Sequence, residues 1–156
     1  MTQTIVINSE DELPLVIEGV ADQLFAMDYT PLLEQELSRM AQEHRTYFAT
    51  ETGPDGGQWR DNAPSTIDQK KHSLILRGKR SNRFRLSQSL MLEGAHSMGD
   101  AIREAWNTGG GSYLVFGTEV PYSIFNEDRP HVGLRMSFVD SMVERVADFT
   151  VRQLAT

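Results

Sequence analysis

Residues 101–125 read AIREAWNTGGGSYLVFGTEVPYSIF, and the folding of this stretch decides the class of the whole chain. Tyr113, Leu114, Val115 and Phe116 are aromatic, β-branched or large apolar, the types that pack well on a pleated surface. Gly109, Gly110 and Gly111 supply the positive φ angles that a tight connection needs. A β-hairpin over about 102–118 follows, with a strong second arm. The first arm reads two ways, because Ala101, Glu104 and Ala105 favour a helix and Asp100 suits its cap. Six or seven residues make a short helix, which leans the reading towards strand.

Helical patterns flank this hairpin. On its C-terminal side, Phe138, Val139, Met142, Val143, Val146, Phe149 and Leu154 keep helical spacing, predicting a helix over about 138–154. Ser137 with Asp140 resembles its capping box. On its N-terminal side, Thr30-Pro31 is a helix start, with Thr30 as the capping residue and proline at the first helical position. Leu33, Leu37, Met40, Ala41, His44, Tyr47 and Phe48 then fall on one face, predicting a helix over about 31–50. Leu13, Val16, Ile17, Val20, Leu24 and Met27 give a third stripe, over about 13–27, although a strand at 13–18 also fits. The class is therefore α+β: N-terminal helices and a C-terminal helix on a small antiparallel sheet built around 102–118.

Between these elements the sequence is less decisive. Residues 4–7, TIVI, fit an edge strand, and 52–57, TGPDGG, is a turn from which Trp59 packs back on the core. Residues 65–76 look helical with Ser65 as a cap, 86–92 fit strand or short helix, and 94–99 is a turn.

With 156 residues and no cysteine, the chain reads as one domain, 1–156, that buries its core without disulfides. Its start lacks a signal-peptide pattern, and no run approaches the roughly 20 apolar residues that cross a bilayer, so no membrane contact is expected. The net charge of −7 is uneven. Lys and Arg stand 2 against 11 acids in residues 1–59, 8 against 2 in 60–85, and 5 against 9 in 86–156. The basic segment Arg77, Lys79, Arg80, Arg83 and Arg85, in a loop or insertion at about 77–90, is a solvated loop, a surface for an acidic partner, or a nucleic-acid site. Only Phe84 interleaves its charges, and the acidic whole opposes phosphate binding, so specific DNA binding is not expected.

No motif for catalysis emerges. His44, His72, His96 and His131 match no ligand spacing, and neither HExxH nor a cysteine pair is present, so no metal is expected. The glycine run lacks the Lys-Ser/Thr of a phosphate loop, and Gly94–Gly99 lacks the G-x-S-x-G spacing of a hydrolase elbow. Neither an enzyme nor a cofactor is indicated.

A set of segments in a fixed order carries more. It comprises a helix ending Tyr47-Phe48-Ala49-Thr50-Glu51, then Pro54-Asp55-Gly56-Gly57-Gln58-Trp59 with Thr66 and Lys70. Ser97-Met98-Gly99-Asp100-Ala101-Ile102 follows, then Phe116-Gly117-Thr118 with Tyr122, and Arg129-Pro130-His131-Val132-Gly133-Leu134 before a last helix. Over about residues 28–150 the chain resembles the phage virion morphogenesis family, the tail-completion or head–tail joining proteins of tailed bacteriophages. It departs from that pattern at Ile124-Phe125-Asn126-Glu127, where the family shows a histidine and a glycine, and in the basic segment.

The resemblance implies a non-enzymatic virion protein, assembled in the host cytoplasm, that works as a homo-oligomeric ring at the head–tail junction or tail end. Its neighbours there would be tail tube, tail terminator, sheath or head-connector subunits, with DNA passing through the lumen. Tyr113, Phe116, Tyr122 and Phe125 are expected to divide between core and subunit contact. Trp59 and the basic residues Arg77, Lys79, Arg80, Arg83 and Arg85 join them as contact candidates.

Overall fold

The computed structural model describes residues 13–71, 73–75, 85–91, 100–120, 129 and 131–155. Along them run α1 (Leu13–Ala26), α2 (Thr30–Thr50), α3 (Pro64–Lys70), α4 (Arg85–Met91), β1 (Ala101–Asn107), β2 (Ser112–Thr118) and α5 (Met136–Leu154). The architecture is the expected α+β, with helices from both ends of the chain and a two-stranded antiparallel sheet, β1-β2. The edge strand predicted at 4–7, the turn at 94–99 and the basic residues 77–83 lie outside the described residues.

The ambiguous first arm is a strand. Ala101 pairs with Thr118 and each following residue pairs in turn as far as Asn107 with Ser112. Gly109 (φ 75°) and Gly111 (φ 154°) take the positive φ values that close the turn. The amide of Gly109 donates to Asn107 Oδ1 at 2.7 Å and that of Thr108 to the carbonyl of Gly111 at 3.1 Å. A lone hairpin is marginal in water. This one is held by one face, against α2 and α4.

The core gathers where α2, α4 and β2 meet. Tyr47, Phe48, Trp59, Ile75, Leu86, Leu90 and Val120 form its buried cluster, with Met91 and Phe116 against it. Residues 86–92, open between strand and helix in the sequence, fold as α4, and Arg103 on β1 donates to the carbonyls of Ser89 (2.8 Å) and Leu90 (3.0 Å) near the end of that helix. Carbonyls in the last turn of a helix lack intrahelical partners, so this arginine ties α4 to the sheet.

Helix ends differ from the sequence expectation in three places. Thr30 does not cap α2; Tyr29 occupies that position, and Asp28 Oδ1 instead accepts the Thr30 amide at 2.9 Å. Ser65 does not cap α3, because Pro64 already occupies the first turn after Ala63, and the helix stops at Lys70 where Lys71 turns left-handed (φ 60°). Ser137 is not the cap of α5. The helix begins at Met136 after Arg135, and Ser137 lies inside its first turn.

Helices α1 and α5 form where their periodicities place them, yet no residue of α5 is buried and none of α1 from Pro14 onward is. Leu15, Ile17, Leu24 and Phe25 on α1 and Met136, Val143 and Val151 on α5 are exposed. Tyr29 joins these helices to the rest. Its amide donates to Ser112 Oγ at 3.1 Å, its hydroxyl shares a hydrogen bond with Thr150 at 2.8 Å, and its ring meets Phe149 at 5.5 Å.

Candidate interaction surface

Cross-strand partners share a face of a sheet, so the pairing of β1 with β2 sorts the hairpin's side chains into two sets. Arg103 with Phe116 and Ala105 with Leu114 face the helices. Phe116 is half-buried against His44 at 4.7 Å, with the Arg103 guanidinium 4.9 Å over its ring. Glu104 with Val115 and Trp106 with Tyr113 make up the opposite face. There the Trp106 and Tyr113 rings stack at 5.5 Å with only 17° between their planes. Both remain open to solvent, at 38% and 47%, and Val115 beside them at 39%.

An exposed, pre-stacked aromatic pair on a rigid strand pair is a ready anchor for a partner. Tryptophan and tyrosine bring large contact area with few rotamers to freeze, and they dominate binding energy in interfaces. The stack itself holds the two rings in one arrangement before any partner arrives.

The other contact candidates sort as follows. Tyr113 lies on the open face, while Phe116 belongs to the core side. Trp59 corrects the candidate set: it is only 2% exposed and packs edge-on against Phe48 at 5.2 Å, anchoring the preceding turn and offering no surface of its own. Its indole is drawn in because 53–58 fold into a tight turn, with Gly53 donating to Gly57 (2.8 Å) and Trp59 to Glu51 (2.8 Å). Arg77, Lys79, Arg80, Arg83, Tyr122 and Phe125 lie outside the described residues, and Arg85 is placed only as the first residue of α4. Trp106 and Val115 were missed as contact candidates. The signal was available: a four-residue turn at 108–111 pairs 107 with 112, which sets Trp106 across from Tyr113.

Segments far apart in sequence meet behind this face. Arg129 donates to the carbonyls of Arg60 (2.8 Å) and Asp61 (2.9 Å), clamping the stretch that follows Trp59. Gly133 (φ 140°) sits against Pro54 so closely that a Cβ there would lie 3.1 Å from Pro54 Cγ. The Arg135 amide donates to the Tyr47 hydroxyl at 3.0 Å, and its guanidinium lies over the same ring at 4.9 Å. Burial pushes the Tyr47 phenol up to about 12, so it stays a neutral donor and acceptor at any ordinary pH.

Two histidines are buried in this region. His44 Nδ1 lies 2.8 Å from the Met40 carbonyl and His131 Nδ1 lies 2.9 Å from that of Arg129. Neither Nε2 has a hydrogen-bond partner among the described residues. Burial lowers His44 to about 4, with the nearby Arg103 and His131 adding to the effect, and burial likewise lowers His131. A cleft of about 370 Å³ lined by Met40, His44, Leu114, Phe116 and Leu134 lies beside them. Among the described residues, His44 is the one titratable side chain in that lining, and no three His, Asp or Glu are grouped to hold a metal.

The strongest charged constellation is structural in form. Glu36 of α2 is completely buried and accepts Arg145 of α5 on both oxygens, at 2.7 and 2.6 Å, with Arg39 on Oε1 as well. Burial alone would raise the carboxyl, but the hydrogen bonds and charges of Arg145 and Arg39 outweigh it and hold Glu36 below its ordinary range. Among the described residues no helix is long and apolar enough to cross a membrane. No family model, no curated protein and no solved structure matches the chain.

Proposed function

We propose that this chain is a structural subunit of a tailed phage or phage-like particle. It acts at the head–tail junction or tail end, completing or joining the tail as one member of a ring. The observation that carries the reading is the open hairpin face, where Trp106, Tyr113 and Val115 present an aromatic anchor on a strand pair whose other face is fixed to the core. Such a face suits protein contact: its centre is apolar, its geometry is set in advance, and Glu104 supplies a polar rim. The segments that carry the resemblance support it from behind. Tyr47, Phe48 and Trp59 pack together in the core, while Gly133 against Pro54 and Arg129 on the carbonyls of Arg60 and Asp61 hold the chain on either side of Trp59, the work of a building block.

The test is assembly. Light scattering and electron microscopy of the purified protein, alone and with neighbouring virion proteins, are expected to show closed rings. The double variant Trp106→Ser/Tyr113→Ser should stay folded and lose them, because truncating aromatic anchors costs on the order of 2 kcal/mol each. A chain that remains monomeric at every concentration and beside those neighbours refutes the reading. Tight, salt-sensitive binding to duplex DNA that charge reversal at Arg77, Lys79 and Arg80 abolishes would favour a nucleic-acid module in its place.

A further inference from the structure

Helix α1 is an unusual piece of surface. Its 14 residues, LPLVIEGVADQLFA, contain two charges, both acidic. Ile17, Ala21, Leu24 and Phe25 fall at i, i+4, i+7 and i+8 and so line one stripe, with Glu18 and Asp22 along its border. Ile17 and Phe25 are more than half exposed, at 59% and 67%. A helix of this length is marginal by itself, and Gly19 in its middle costs about 1 kcal/mol more. Apolar cover on that stripe would stabilise it, and the rest of the described chain leaves the stripe open.

A second surface has the opposite character. Between α2 and α5 runs a groove of about 270 Å³ whose floor is Leu32 and Phe149 and whose walls carry Arg39, Arg145 and Arg152 against a single acid, Asp148. None of its lining residues comes from α1. Arg145 and Arg39 both hold Glu36, but Arg39 does so through Nη1 alone and leaves 44% of its side chain exposed at the rim, where Arg152 is exposed too. The volume suits apolar knobs from another helix, and the rim suits acids beside those knobs.

We infer that α1 of one copy docks on the α2/α5 groove of the next copy, Leu24 and Phe25 entering the groove and Glu18 and Asp22 meeting Arg39 and Arg152. The contact joins two different patches of the same chain, so it is head-to-tail, and head-to-tail contacts that close make rings. The inference rests on the ring reading and supplies the handle by which one subunit takes hold of its neighbour.

Charge reversal tests it. One variant carries Glu18→Arg and Asp22→Arg; a second carries Gln35→Glu and Arg152→Glu. All four positions are exposed, so folding should be kept, which circular dichroism and thermal melting check. Each variant alone is expected to need at least about tenfold more protein to assemble. Mixed one to one they should recover assembly, because every α1 then finds a groove of opposite charge on the other variant. A chain with all four substitutions should recover too. If a reversed chain melts early, Ile17→Ser/Phe25→Ser replaces it and should raise the assembly concentration in the same way. The inference is overturned if each variant assembles like the parent, or if the mixture assembles no better than its parts. Assembly that survives these changes and fails only in Trp106→Ser/Tyr113→Ser removes the α1 contact while leaving the ring reading intact. A parent chain that never assembles removes both.

Discussion

Replacing Arg145 by leucine should expose how much α5 depends on a single buried carboxylate. In the native chain Glu36 has no exposure, and Arg145 supplies two hydrogen bonds, one to each oxygen, from a side chain that is 28% exposed. Breaking a buried ion pair by removing one partner costs about 3–5 kcal/mol, because the remaining charge stays buried. Two features pull the figure down here. Arg145 is partly solvated before the change, and Arg39 keeps its hold on the same carboxylate. The expected loss is about 2–3 kcal/mol, or roughly 5–10 °C in Tm for a chain of this length.

Urea unfolding followed by tryptophan fluorescence measures this directly, since Trp59 is buried in the core beside α2. The double variant Glu36→Leu/Arg145→Leu should regain most of the loss, to within about 1 kcal/mol of the parent, because no charge is then left buried. The pH dependence gives an independent check. Glu36 is held below its ordinary 4.5, so its contribution is fully present above that value and is lost as pH falls through the lower folded value. The gap between parent and Arg145→Leu should therefore narrow in acid. A loss under about 0.5 kcal/mol, or a double variant as unstable as the single, would refute the account.

Two further outcomes follow from the core. His44 titrates near 4 in the fold against 6.5 ordinarily, so the unfolded chain takes up its proton first; stability is full above about pH 6.5 and falls as the pH drops towards 4. The loss from this group is about 3 kcal/mol, His131 acts in the same direction, and His44→Gln should flatten the pH profile of the urea midpoint; an unchanged profile contradicts the burial of a neutral imidazole. Gly133→Ala puts a Cβ 3.1 Å from Pro54 Cγ at a φ of 140°, so it should cost roughly 1–3 kcal/mol and loosen the turn before Trp59; a melting temperature equal to the parent's would show that this close approach is dispensable.

Local rules carried the sequence reading a long way. Apolar periodicity located α1, α2 and α5 to within two residues at either end, and the β-branched and aromatic run with its glycines located the hairpin. These signals are legible because backbone hydrogen bonding and side-chain period are properties of neighbours in the chain. The ends of the helices were less so: Thr30, Ser65 and Ser137 have the chemistry of caps, but competing starts at Tyr29, Pro64 and Arg135 displaced them.

The sequence by itself determined that the chain is α+β, acidic at its start, and built around a glycine-turned hairpin between helices. Tertiary structure alone decided which side chains that framework would hide. Glu36 is charged and sits on α2 beside Leu33 and Leu37, yet it is the residue fully buried, because α5 brings Arg145 across 109 positions of sequence to neutralise it. Trp59 and Trp106 are the same amino acid. One is drawn in by the turn before it and held by the stretch after it, which Arg129 clamps from 69 positions away, and the other stays open because, among the described residues, the helices meet the inner face of the two-stranded sheet. Burial depends on which distant segments arrive at a position, and a local pattern holds no record of them.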